Sequence, residues 1–243
     1  MTNKPTQHLQ MTNPDHLRSA AAHIADGGII VMPFNGIFVI VGDADNPEIP
    51  DKIAAAKGRP KVKGVALVCP PESLAEHIDL GAPALREHHS FAQILQLYQT
   101  VYAIGAILPA SVPGAPAHVV QAGTILNVWS EYLPQQPIRQ LINELRQHGK
   151  RALVGSSANK AGQPTMIDAQ QVVDIFKNDI PVLLLDTFDG MPAQYRRSTS
   201  IIDFTGPVAR LYREGSLSAQ ELQAQMTRLS LGALVVDADV QRV

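Results

Sequence analysis

The sequence has 243 residues, of which 45% are hydrophobic and 17% are charged. This composition is typical of a globular protein with a sizeable core, and it excludes a disordered chain and a collagen-like repeat. Twenty basic and 22 acidic side chains give a formal charge of -2, so any site that attracts anions has to be local.

Hydrophobic periodicity and turn residues predict alternating helices and strands. Asn13 is a good helix N-cap before Pro14, and Asn35-Gly36 is a hairpin-type turn. We expect the strand before that turn to stop at Pro33. The predicted helices cover residues 14–26, 47–56, 72–78, 84–98, 137–148, 168–176 and 218–228. The predicted strands cover residues 28–32, 37–41, 63–69, 101–108, 118–121, 124–128, 150–155, 182–185, 200–203 and 208–213.

Strands and helices mix without strict alternation, which predicts a single mixed α/β (α+β) domain over residues 13–228. Its sheet should combine parallel and antiparallel strands and be flanked by helices. Residues 1–12 are polar and patternless, so we expect a loose N-terminal tail. Residues 229–243 either add a strand or trail as a C-terminal tail.

The single cysteine, Cys69, excludes an internal disulfide framework and a four-cysteine zinc site. No apolar stretch approaches the ~18 residues of a membrane span, and residues 1–13 lack the features of a signal peptide. We therefore expect a cytoplasmic protein with no membrane partner. The oligomeric state does not follow from the sequence.

A cluster of five cations falls within twelve residues, between Lys52 and Lys63. Within it, Lys57 and Arg59 flank a glycine at the end of a predicted helix. Such a pair can converge on phosphate oxygens, the lysine as a point charge and the arginine as a fork. The alternative is a solvated charge run that ends the helix.

A second cluster, Gly155-Ser156-Ser157-Ala158-Asn159, follows a predicted buried strand. Hydroxyl and amide groups at a strand end can hold a phosphate or a carboxylate, although a polar turn would use the same residues. A third group joins Arg196-Arg197-Ser198-Thr199-Ser200 to Asp203 and to Arg213-Glu214-Gly215. Each cluster by itself is a weak signal.

The order of these motifs along the chain is more specific. The chain resembles the YrdC-like family in the order of four motifs. These are Lys57-Gly58-Arg59-Pro60, then Ser157-Ala158-Asn159 with Gly162 beyond it, then an S/T-rich strand ending at Asp203, and last R-x-G before a final helix. That family includes the threonylcarbamoyl-AMP synthases. The resemblance runs from about Pro14 to Gln225.

The resemblance implies a twisted mixed sheet and a synthase that converts ATP, L-threonine and bicarbonate to threonylcarbamoyl-AMP and pyrophosphate. A partner enzyme then transfers the group to adenosine in tRNA. Mg²⁺ is implied with the ATP, held mainly by phosphates and water. Lys57 and Arg59 are implied to be catalytic. The implied nucleotide-binding residues are Lys57, Arg59, Ser157, Asn159, Thr199, Ser200 and Arg213, the last three on a looser match.

The chain departs from the family pattern on the side of the small acid or amino-acid substrate. Phe34 and Gly36 stand where the family opening has threonines, and the W-P-G-P run is missing near Thr100 to Gly105. Asn127 stands where an arginine is expected. The resemblance leaves Asn35, Phe38 and Asn127 as the candidate substrate-binding residues.

Two functions stay open at this point. The chain is an enzyme of the threonylcarbamoyl-AMP synthase type, with the usual acceptor or a different acid, or it is a non-catalytic nucleotide- or RNA-binding protein. The retained Lys57, Arg59, Ser157 and Asn159 favour a working nucleotide site, whereas the altered opening and Asn127 argue against the usual acceptor.

Overall fold

In a computed structural model of the chain, the described residues are 6–60, 64–102, 104–112, 114–129, 136–186, 188 and 191–242. The helices are α1 (Pro14–Ala25), α2 (Ile49–Ala56), α3 (Pro71–Leu74), α4 (Phe91–Thr100), α5 (Gln136–Gln147), α6 (Ala169–Phe176) and α7 (Ala219–Arg228). The strands are β1 (Gln7–Leu9), β2 (Ile29–Phe34), β3 (Ile37–Asp43), β4 (Ala66–Val68), β5 (Ile104–Pro109), β6 (Thr124–Trp129), β7 (Leu153–Ser157), β8 (Val182–Leu184), β9 (Ser200–Asp203), β10 (Ala209–Glu214), β11 (Leu234–Val235) and β12 (Gln241–Arg242).

The chain divides into two compact units, Met1–Val65 with Pro134–Met191, and Ala66–Leu133 with Pro192–Val243. Neither unit is continuous in sequence. The expected mixed α/β class with parallel and antiparallel pairing is confirmed. The expected boundaries at residues 13 and 228 stay a prediction.

The first unit carries the strand order β1-β8-β2-β3-β7. β8 runs parallel to β1 and β2, whereas β3 runs antiparallel to both β2 and β7. Every residue of β3 is buried, so the strand is apolar on both faces rather than alternating. Helix α1 turns Leu17, Ala20, Ala21 and Ile24 to the interior and packs against α5.

The second unit carries the order β4-β6-β5-β9-β10-β11, with β12 also pairing with β10. β5 is antiparallel to β6 and parallel to β9. Helix α7 begins with a capping box in which the Ser218 hydroxyl and the Glu221 carboxylate each bond the other's backbone N–H. The last residues add two short strands to β10, which is one of the two alternatives stated for residues 229–243.

Pro33 does not stop the strand as expected but lies inside β2, opposite Phe38. The backbone N–H of Phe38 donates to Met166 O and points away from β2, so this pair is not hydrogen-bonded. Pro33 therefore removes no bond from the hairpin. On the other side of β2, the described pairing with β8 involves Ile30 and Val31, so Pro33 removes no hydrogen bond there either.

Three other expectations were wrong locally. The predicted helix 84–98 breaks at Ser90, which caps α4, and a short π-helical turn spans Ala84–His88. Residues 118–121 form turns with one bridge, Gln121 to Thr124, because Ala122 and Gly123 both take positive φ. Within the expected N-terminal tail, β1 pairs with β8, so that segment is tied to the sheet edge.

Candidate anion site

Two neighbouring element ends of the first unit build the site. Helix α2 ends at Ala56, and Lys57 is its C-cap. Gly58 takes a φ of 66°, which glycine adopts without steric cost, and the chain turns so that Arg59 N donates to Ala54 O at 2.9 Å. β7 extends to Ser157, two residues beyond the predicted strand, so both serines belong to the strand rather than to a loop.

The side chain of Lys57 is the centre of the cluster. It is 1% exposed, and its Nζ donates to Ser156 Oγ at 3.0 Å, to Asn159 Oδ1 at 3.1 Å and to Ser157 Oγ at 3.4 Å. The carbonyl oxygen of Ser157 also accepts from this ammonium. All of these partners are neutral oxygens, and no carboxylate of the described residues forms an ion pair with Lys57.

A buried ammonium without a carboxylate is an unusual arrangement, because desolvation disfavours the charged form. Burial, with the nearby positive charge of Arg59, lowers the pKa of Lys57 from 10.5 to about 8. Near neutral pH the side chain is therefore still mostly a cation. A ligand with negative charge would supply the missing counterion.

Asn159 connects this cation to the loop after β7. Its Oδ1 accepts from the Ser157 hydroxyl at 2.7 Å, and its Nδ2 donates to Gln163 O at 2.6 Å. Asn159 is only 7% exposed, so it is not the exposed loop residue that its position after a strand indicated. The amide belongs to the packing of the site as well as to its polar surface.

Arg59 is half-buried, and among the described residues its guanidinium makes no hydrogen bond. The positive charge of Arg59 repels that of Lys57 and contributes to the lowered pKa of Lys57. A guanidinium next to a buried ammonium can supply a second set of donors to the same anion. The predicted catalytic role of both residues stays a prediction.

The predicted substrate-binding residues of the first unit lie at the β2–β3 hairpin. Asn35 and Gly36 have φ values of 51° and 81°, as the predicted turn requires, and Asn35 is buried. The Phe38 ring is fully buried and meets Phe188 edge-on at 5.3 Å. Phe38 O accepts from Ala158 N, so this hairpin is attached directly to the segment that carries Ser157 and Asn159.

Asn127, in the second unit, is fully buried. Its Nδ2 donates to Leu67 O at 3.3 Å and, at 3.4 Å each, to the carbonyl oxygen and the Sγ of Cys69. Among the described residues, nothing donates to its Oδ1. The side chain thus bonds β4 and the residue after it, and this arrangement gives no sign of a surface that meets a substrate.

Thr199, Ser200 and Arg213 are brought together in the second unit. Arg213 donates through Nε and Nη2 to Thr199 O at 2.9 and 2.7 Å. Burial lowers the pKa of Arg213 from its usual value. The Ser200 hydroxyl is fully buried; it accepts from Gly215 N and Leu217 N and donates to Leu217 O. These contacts hold the turn after β10.

Sequence reasoning missed two residues of the site. Ser156 was noted only as part of a polar run, although its hydroxyl accepts from Lys57. Lys160 was not singled out, yet its Nζ donates to Ala56 O at the end of α2. No local pattern distinguishes Lys160 from any surface lysine, so only its partners identify it.

The described residues contain no group of three or more His, Cys, Asp or Glu side chains placed to hold a metal ion. In the same residues, no helix is long and apolar enough to cross a membrane. The polar atoms around Lys57 are hydroxyl, carbonyl and amide oxygens and an ammonium. Of these groups, the ammonium and the serine hydroxyls can donate hydrogen bonds to a phosphate, and the positive charge of the ammonium disfavours a metal cation.

Comparison with known proteins assigns the chain to a family. The model of the Sua5/YciO/YrdC family, described as "Telomere recombination", matches residues 22–215. The chain belongs to this family. The resemblance stated from the motif order is therefore confirmed, and the matched range contains both the Lys57 cluster and Ser200 with Arg213.

Two relatives carry the name threonylcarbamoyl-AMP synthase. One from Pseudoalteromonas atlantica is 29% identical over 161 residues, which cover 66% of this chain and 79% of that protein. One from Bacillus subtilis is 24% identical over 213 residues, which cover 88% of this chain and 57% of that protein.

A solved structure of P. abyssi Sua5 complexed with L-threonine matches with a TM-score of 0.74 at 18% identity. The match covers 99% of the present chain and 63% of the Sua5 chain, so the present chain spans less than two thirds of that protein. At this identity the match establishes the shared fold.

Proposed function

We propose that the chain binds ATP and transfers its adenylyl group to a small carboxylate, in the manner of a threonylcarbamoyl-AMP synthase. The observation that carries the proposal is the buried Lys57 ammonium, whose partners are all neutral oxygens. Such a cation is costly to bury and gains most from an anion. Phosphate oxygens are the anions that Lys and Arg pairs recognise.

The chemistry needs a cation at the leaving group. In the proposed reaction the amino group of an amino acid and bicarbonate form a carbamate with loss of water, and an oxygen of this carbamate bonds to the α-phosphorus of ATP. The bond from that phosphorus to the bridging oxygen breaks, and pyrophosphate leaves with the negative charge. Lys57 and Arg59 would bind pyrophosphate oxygens and stabilise that charge as it develops. Before the reaction, the serine and asparagine oxygens would hold the Lys57 ammonium in position for the pyrophosphate group.

Mg²⁺ enters the proposal as a companion of the nucleotide. The cluster around Lys57 offers hydroxyl and amide oxygens but no carboxylate of the described residues, so phosphate oxygens and water would hold the ion. The metal would neutralise phosphate charge. The adenylate would then be passed to a partner that modifies tRNA.

The proposal is also supported by the names of the relatives and by the threonine complex of P. abyssi Sua5. The residue types at Lys57, Arg59, Ser157 and Asn159 match the motifs of the family. None of these supports identifies the acceptor of this chain.

Asn127 favours a second candidate, a non-catalytic protein that binds a nucleotide or an RNA backbone. It stands where the family places an arginine, and its amide is taken up by Leu67 and Cys69 in the interior. A chain that lacks this cation could keep the phosphate site without the acceptor site. The two candidates differ in whether ATP is cleaved.

The test is pyrophosphate release from ATP and Mg²⁺, with and without bicarbonate and a panel of small amino acids. Adenylyl transfer predicts release that depends on one amino acid and on bicarbonate. It also predicts that Lys57→Met abolishes release while Lys177→Met, an exposed lysine on the same unit, does not. Nucleotide binding without release under any addition would favour the second candidate. Absence of binding both to ATP and to a single-stranded RNA would exclude both candidates.

A further inference from the structure

The loop that carries Asn159 is attached to helix α2 by Lys160. The Nζ of Lys160 donates to Ala56 O at 2.7 Å and pairs with Asp179 Oδ2 at 2.6 Å. It also lies 5.2 Å from the centre of the Phe176 ring. One side chain thus joins the end of α2, the end of α6 and the residues that follow α6.

The residues on either side of Lys160 are both hydrogen-bonded to Lys57. Asn159 Oδ1 accepts from Lys57 Nζ, and Ala161 N donates to Lys57 O at 3.1 Å. The Lys160 side chain adds a third connection, to the carbonyl one residue before Lys57. Any movement of the loop therefore changes the surroundings of the Lys57 ammonium.

We propose that Lys160 is a positioning residue, which together with Asp179 holds the loop against α2 so that Asn159 and Ser157 keep the Lys57 ammonium aimed at its anion. The proposal rests on the proposed function of Lys57. The Lys160 ammonium bonds Ala56 O and Asp179 Oδ2, so the role proposed for it is to position the loop.

The contribution of Lys160 to global stability should be small. Its side chain is 33% exposed and that of Asp179 is 41% exposed, and exposed ion pairs stabilise proteins little. Loss of Lys160 therefore leaves the fold intact and loosens the loop. This separates its role from that of a core residue.

The first experiment measures pyrophosphate binding by calorimetry for Lys160→Met, Lys160→Arg and Lys177→Met. Lys177 is the matched control, because its ion pair with Asp174 is exposed and lies on the same helix end. We expect binding to weaken about tenfold in Lys160→Met, the effect of losing one well-placed hydrogen bond, and to be largely restored by arginine. The control should bind like the parent.

The second experiment needs no ligand. The protein is prepared with ¹³C-labelled lysine, and the ε-carbon resonance of Lys57, assigned by its absence in Lys57→Met, is followed by NMR across a pH series. The midpoint for the parent should lie near pH 8, where burial and Arg59 place the pKa of Lys57. In Lys160→Met a loosened loop admits water, so the midpoint should rise, while Lys160→Arg and Lys177→Met keep it.

An unchanged titration midpoint of Lys57 in Lys160→Met overturns the positioning role, whatever the affinity for pyrophosphate. A parent protein that binds neither pyrophosphate nor ATP overturns the proposed function instead. Because the titration does not depend on a ligand, the two failures are distinguishable.

Discussion

At the scale of single residues, Lys57 determines the chemistry of the first unit. It is a fully buried cation with four oxygen partners and no carboxylate among the described residues. Its charge is kept by hydrogen bonds to neutral groups, which stabilise an ammonium less than an ion pair does. Both its affinity for anions and its effect on stability should therefore depend on pH.

Anion binding should be lost as the pH rises through the pKa of Lys57, about 8. At pH 9 roughly a tenth of the lysine is charged, so pyrophosphate affinity should fall about tenfold between pH 7 and pH 9. Lys57→Met should bind weakly at both values. Calorimetry at the two pH values measures this, and Lys177→Met serves as the control. A parent affinity that falls no more than that of Lys57→Met would contradict the prediction.

Titration of Lys57 should change the free energy of unfolding in the opposite direction: stability should increase with pH while anion affinity decreases. The folded pKa of Lys57 is below the ordinary 10.5, so between pH 8 and 10.5 the unfolded chain binds more protons than the folded one. Stability contributed at this site therefore rises with pH in that window. Relative to Lys57→Met, we expect the parent to gain about 2 kcal/mol between pH 7 and 9.5. Urea unfolding at both pH values measures it; a constant difference between the two proteins would sink the idea.

Asn159→Ala should weaken both ligand binding and folding. The side chain is buried and bonds Ser157, Gln163 and Lys57, so its removal takes one hydrogen-bond partner from each of these groups. We expect a loss of about 1–3 kcal/mol of stability, together with weaker pyrophosphate binding. Thermal and urea unfolding check the first effect. The exposed Asn143→Ala on α5 is the control and should change neither.

At the scale of elements, the site exists because β7 lies beside β3. Their register places Val39 opposite Ser157 and Ile40 opposite Ser156. Because β7 is antiparallel to β3, the polar end of β7 lies near the start of β3 and the hairpin before it. The end of α2 then reaches the serines through the Lys57 side chain.

Ser200→Ala tests an element contact in the second unit. The Ser200 hydroxyl joins the start of β9 to the turn between β10 and α7. Its removal leaves buried N–H and C=O groups unpaired, so we expect stability to fall by about 1–3 kcal/mol. Urea unfolding is the measurement. Unchanged stability with weakened nucleotide binding would instead favour the ligand contact that the family motif implied.

At the scale of the whole chain, the two units differ in how they retain the family motifs. The first unit keeps the lysine, serine and asparagine pattern around one cation. The second unit keeps Arg213 and Ser200 but carries Asn127 in the interior. Loss of an arginine removes both a positive charge and a bidentate fork for a carboxylate.

Threonine-dependent turnover should therefore be weak. Each lost hydrogen-bonding partner of a polar substrate costs about 1–3 kcal/mol, so the changes at Phe34, Gly36 and Asn127 together should lower the rate by orders of magnitude. Formation of threonylcarbamoyl-AMP is compared with that of the Bacillus subtilis synthase under the same conditions. Equal turnover would mean that other residues bind the acceptor.

The local parts of this protein are predictable from its sequence. The Asn13 cap of α1, the Asn35-Gly36 turn and the extent of β9 follow from side chains that act on their own backbone. The motif order likewise led to the family. The passage of β2 through Pro33 could not be predicted, because it depends on the partner that Phe38 N finds elsewhere in the chain. The helix break at Ser90 was missed although Ser90 caps α4 locally, because the apolar pattern runs on across it.

Periodicity, caps and motifs lie in neighbouring positions, so they predicted most helices and strands and indicated Lys57, Ser157 and Asn159 as candidate residues. Only the tertiary structure decided that Lys57 is buried against Ser156 and Asn159, about a hundred residues along the chain, and that Lys160 reaches Ala56 and Asp179. The physical reason is that desolvation and long-range hydrogen bonds depend on the pairing of β3 with β7, and no local pattern encodes that pairing.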